Sequence, residues 1–67
     1  MDRGAYLLEA CKHRDISVEQ IAEALGMDRS TFYRKVKDPQ ASFSVKDMII
    51  INKTLGLEKI DLNTIFF

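Results

Sequence analysis

Over the nine residues from Arg29 to Lys37 the chain carries Arg29, Arg34, Lys35 and Lys37 and no acid. The flanks are balanced the other way, with three basic and six acidic residues over 1–28 and three basic and four acidic over 38–67, so the whole is neutral. Positive charge gathered on one short segment is the pattern that meets a polyanion such as nucleic-acid phosphate. Ser30, Thr31 and Tyr33 lie among the cations. An arginine at a helix start can grip guanine O6 and N7 together, at ~1–3 kcal/mol of discrimination, and Arg29 is placed for that role or for that of a solvated or phosphate-paired arginine. Ser30 and Thr31 are short donors suited to a base edge or a phosphate. The ring of Tyr33 suits a thymine methyl or a sugar, with its hydroxyl on a phosphate, and equally suits partial burial against the first helix. Arg34 and Lys37 read as phosphate contacts, which set affinity and its salt dependence but carry no sequence information directly.

Other chemistry finds little support. Cys11 and His13 cannot complete a zinc site, which needs about four ligands. Cys11 reads as a small core residue, and His13 as a surface residue near a helix end. There is no glycine-rich phosphate loop and no nucleophile–base pair, and Glu19 and Glu23 read as a solvated helix face. No catalytic activity, cofactor, metal or small-molecule substrate is expected. A single cysteine allows no internal disulfide. No apolar run approaches the ~18 residues of a membrane span. The start, MDRGAYLLEA, contains an acid and no long apolar stretch, unlike a secretory signal, so a cytoplasmic protein is expected. Met1 and Phe67 read as true ends of the chain.

The elements that must position the cationic segment follow from start and stop signals. With 67 residues the chain makes one domain, and a domain this small buries only about 60% of its unfolded surface. Five helical segments are expected, making the chain all-α. The first runs from about Asp2 to Arg14, with Gly4, Leu7, Leu8 and Cys11 along one face. The second starts at Ser17, whose S-x-x-Q spacing to Gln20 is a capping box; Val18, Ile21, Ala22 and Leu25 form its stripe, and Gly26 ends it. Asp28 caps the third, Arg29–Lys37, with Phe32 and Val36 inward and Asp38-Pro39 as its stop. Gln40–Phe43 reads as a loop. Ser44 with Asp47 starts the fourth, traced by Val45, Met48, Ile49, Asn52 and Leu55 up to Gly56; these signals outweigh a strand reading of Ile49-Ile50-Ile51. The fifth is short, capped by Asp61 and ending in Ile65-Phe66-Phe67.

Residues 17–37, SVEQIAEALGMDRSTFYRKVK, thus make two short helices joined by a tight glycine turn, the signature of a helix-turn-helix. Ala22 is small enough for the second helix of the pair to cross closely, Gly26 makes the bend, and Phe32 fixes the rotation of the outer helix. This segment resembles the helix-turn-helix of the phage repressor and Cro-like (XRE) family. The likeness extends through TFYRKVKDP and VKDMIIINKTLGL to the terminal IFF, as in small regulators of phages and prophages of Gram-positive bacteria. It departs from that family at Val18, where many members have Gln, and at Lys35, where an aliphatic residue is usual and Val36 takes the inward role here.

The resemblance implies a compact five-helix, lambda-repressor-like domain. It also implies a third helix in the major groove of duplex DNA, and repressor or Cro-like regulation by a homodimer. Further phosphate contacts are expected from the helix starts at Ser17 and Ser44, with Lys46 beside the latter, and from Gln40 and Ser42 in the loop that runs near the DNA backbone in the family. The apolar tail of Leu57, Ile60, Leu62, Ile65, Phe66 and Phe67 is expected partly to close the core over the second helix and partly to make a two-fold contact. The competing reading is a protein–protein module on the same fold, such as an antirepressor. It separates from the first because it would not need Arg29, Tyr33 and Arg34.

Overall fold

A computed structural model describes residues 2–67 as six helices: α1 (Arg3–His13), α2 (Val18–Leu25), α3 (Arg29–Val36), α4 (Pro39–Ser42), α5 (Val45–Leu55) and α6 (Lys59–Phe66). Most starts are written in the sequence. Asp2, Ser17, Asp28 and Ser44 each hold extended backbone and accept a hydrogen bond from the N–H three residues on. Each thereby satisfies a donor that the helix itself leaves without a partner. The boxes at Ser17/Gln20 and Ser44/Asp47 are reciprocal.

The stops follow the same logic. Gly26 takes the left-handed conformation (φ 73°) that ends α2, and Met27 N–H returns to the Ala22 carbonyl at 3.0 Å. At the end of α1 the same pair of closing bonds forms around Asp15, which holds φ 56° without being glycine. A short polar side chain tolerates that region better than a branched one.

Two sequence expectations are corrected here. Gln40–Phe43 is not simply a loop: Pro39–Ser42 forms one helical turn, so the described residues hold six helices and not five. Proline stops a helix behind it, but its fixed φ and missing N–H also suit the first position of a new one. Ser42 and Phe43 N–H close this turn on the Asp38 and Pro39 carbonyls, at 3.0 and 3.3 Å. The last helix starts earlier than expected. Glu58, not Asp61, is its N-cap, and Asp61 occupies the third position and accepts from Glu58 N–H at 3.1 Å.

The core centres on fully buried Leu7, Ile21, Phe32, Ile51 and Ile65, with Phe43 and Phe66 beside them. Phe43 links α3 to α6: its ring centroid lies 6.0 Å from that of Phe32 and 6.3 Å from that of Phe66. Around this core α5 packs on α2, and α6 packs on α1 and α4. The tail therefore closes mainly over the first helix and not, as expected, over the second. On α5 the buried stripe is Ile51 and Leu55 with half-buried Met48, while Val45 and Ile49 stay 69% and 51% exposed. A run of apolar residues on one helix leaves its rotation open, and contact with α2 selects the face.

A polar knot fastens α6 to α1. Tyr6 hydroxyl donates to Asp61 Oδ1 at 2.6 Å, and Arg14 lies 3.6 Å from the other oxygen while Arg14 Nε donates to the Leu55 carbonyl at 2.7 Å. The Tyr6 hydroxyl first, then Glu58 N–H and the charge of Arg14, hold the Asp61 carboxyl below the usual carboxylate range, and the bond to Asp61 raises the Tyr6 phenol. Cys11 is buried, and burial pushes its thiol up, as befits an unreactive core residue.

α1 and α3 meet at Gly4, where an added Cβ would fall inside contact distance of the Val36 backbone carbonyl. The obstacle is backbone, so it cannot rotate aside. Gly4→Ala is expected to destabilise the domain by about 1–3 kcal/mol, as overpacking of a tight interior does. Denaturant melts check this, and a neutral or stabilising change would contradict so close a crossing.

Candidate nucleic-acid interface

The rotation of α3 is set from inside. Phe32 and Val36 are buried, one turn apart, so the other side of the helix looks outward. Arg29, Ser30, Tyr33, Arg34 and Lys37 are exposed, and Thr31 is half-buried. No other helix of the described residues covers this surface. Asp28 anchors its start. The Asp28 carboxylate accepts Thr31 N–H at 2.7 Å, and its carbonyl accepts Phe32 N–H at 3.0 Å. Thr31 N–H and then the Thr31 hydroxyl hold the Asp28 carboxyl below its usual range, with a smaller contribution from the charge of Arg34.

The individual side chains are held differently. Arg29 reaches back to α2, where its Nε lies 3.7 Å from Glu19 Oε1; both side chains are mostly exposed. Tyr33 is 41% exposed and lines a cleft together with Gly4, Ala5 and Leu8 of α1, with its ring edge-on to Phe32 at 6.4 Å. The partial burial expected of Tyr33 is seen, and the rest of its surface faces solvent. Lys35 is turned aside, its Nζ donating to the Ser42 carbonyl at 3.4 Å. Three of the four cations of the segment are left on the open surface.

The flanking candidates are scattered. Gln40 is exposed and shares a shallow depression with Lys37 and Arg3. Ser42 is half-buried next to Lys35. The Ser17 hydroxyl is occupied as the cap of α2, and Lys46 stands exposed on the first turn of α5. Neither Ser17 nor Lys46 contacts α3 by hydrogen bond or ion pair. Glu19, read from the sequence as part of a solvated face, is exposed as expected, and its place beside Arg29 was not foreseen. The available signal was its position: an acid early on α2, and an arginine opening the helix that folds back across a three-residue turn.

Among the described residues no helix is long and apolar enough to cross a membrane, and no group of three or more His, Cys, Asp or Glu is placed to hold a metal. In comparisons with known proteins, no family model, no curated protein and no solved structure matches the chain.

The Asp28 cap gives a pH test. Its carboxyl is lowered in the folded state, so it stabilises α3 above the ordinary aspartate value of about 3.9 and loses that contribution as pH falls through the folded value. Asp28→Asn is therefore expected to melt below the unaltered protein at pH 7, with the two melting temperatures converging in acid as the carboxyl protonates in the folded state. A gap that stays constant across that range would contradict a charged cap.

Proposed function

We propose that this protein binds duplex DNA sequence-selectively as a transcriptional regulator of the phage repressor and Cro-like kind, on a lambda-repressor-like helical domain. The observation that carries this reading is the outer surface of α3. It bears Arg29, Arg34 and Lys37, has no acid of its own, is uncovered by neighbouring helices, and is fixed in rotation by Phe32 and Val36. With its side chains a helix is about 10–12 Å across, which a major groove about 12 Å wide admits, and the eight residues of α3 span ~12 Å along its axis. In this reading Arg29, Ser30, Thr31 and the exposed part of Tyr33 face base edges, while Arg34 and Lys37 meet phosphates. Gln40, beside Lys37, extends the backbone contact; Ser17, Ser42 and Lys46 are more distant phosphate contacts.

So short a helix reads only a few base pairs, and selectivity then calls for a second copy on a second half-site about 34 Å away. The surface proposed for that contact differs from the sequence expectation. Leu57, Ile65 and Phe66 are spent in the core, leaving Ile60 and Phe67 of the tail exposed. The outward apolar residues Val45 and Ile49 of α5, with Phe67 (72% exposed), flank a shallow groove floored by Met48 and Leu62. We assign this groove to a second copy of the chain, which makes a homodimer.

Selection of bound sequences from a random duplex pool, followed by affinity against salt, tests the reading. A consensus is expected, with affinity falling as salt rises. Arg34→Ala should weaken all sequences alike and reduce the salt slope by about 1 per copy, about 2 for the dimer. Replacing Arg29, Tyr33 and Arg34 together by Ala should abolish binding; a salt-insensitive response would count against phosphate contact altogether. For the dimer, Ile49→Lys is expected to give a folded monomer in sedimentation, with a cooperative thermal melt, and to lose paired half-site binding. A variant that still pairs would move the interface elsewhere.

A further inference from the structure

We propose that Glu19 is a specificity-determining positioning residue that holds Arg29 at the base edge and away from the phosphates; this rests on the DNA-binding reading above. Arg29 opens α3, and its nearest charged partner is Glu19 of α2, 3.7 Å from Nε. The approach is at Nε, and among the described residues no hydrogen bond engages the two terminal nitrogens. Those are the donors that a guanine O6/N7 pair would take, since a planar guanidinium offers separate edges to two partners.

An acid beside a DNA-reading helix is otherwise costly. Glu19 repels phosphate and lowers affinity for every duplex, whatever its sequence. An arginine at this position without a partner would swing to the nearest phosphate and bind all sequences alike. Glu19 opposes both outcomes: it weakens non-selective binding and limits where the guanidinium can go. Glu23 lies one turn further along α2, is also exposed, and makes no ion pair among the described residues. It carries the same repulsion without the positioning, and so serves as an internal control.

The two roles separate by experiment. Glu19→Gln and Glu23→Gln each remove one negative charge from the same helix at near-constant shape. Both should raise affinity for random duplex. Only Glu19→Gln should lower the preference for the selected base pair facing Arg29, by about 2- to 5-fold, the range an exposed ion pair supplies. In an Arg29→Ala background the same change at Glu19 should leave base preference unaltered, as a coupled pair requires. Thermal melts establish that each variant is folded. Equal preference in Glu19→Gln and the unaltered protein, or an equal loss in both arginine backgrounds, overturns the positioning role while leaving DNA binding intact. Failure of the unaltered protein to bind any duplex overturns both proposals.

Discussion

The burial of Phe32 governs the outward face of this domain. A helix of eight residues has little stability of its own and takes its orientation from whatever it buries. Phe32 enters the centre of the core, against Phe43, and Val36 follows one turn later beneath α1. Once those two side chains are placed, the directions of Arg29, Ser30, Tyr33, Arg34 and Lys37 are settled. The cations do not choose their surface; the core assigns it to them.

That constraint explains features which seem unrelated to the surface. Gly4 lets α1 come within backbone contact of the end of α3. The single turn of α4 brings Phe43 back into the core between Phe32 and Phe66, so that α3 and α6 are tied through one aromatic ring. The bond between Tyr6 and Asp61 then fixes α6 on α1. The outer side of α3 is left open while its inner side is held from three directions.

The sequence showed most of this where a residue has one job. Ser17, Asp28 and Ser44 cap helices because a short oxygen-bearing side chain before an apolar stripe has few better uses, and Gly26 marks a turn because φ is positive there. The sequence was ambiguous where a residue has two. Pro39 both stops α3 and begins α4. The apolar run Met48–Ile51 fits several rotations, so the buried face of α5 had to be decided by α2. Asp61 suits a cap, yet serves instead as the third residue of its helix and as acceptor for Tyr6. At the surface the cationic segment was legible from local charge alone. The turning aside of Lys35 and the pairing of Arg29 with Glu19 depend on side chains that meet only in the folded chain.

The most direct test of the central claim is an amide chemical-shift titration of the uniformly labelled protein with a short duplex at low salt. The account predicts that the largest perturbations fall on Arg29 to Lys37 and Gln40, with smaller ones around Ser17, Ser42 and Lys46. Perturbations centred on Val45, Ile49 and Phe67 with α3 unchanged, or none at any duplex concentration, would contradict it.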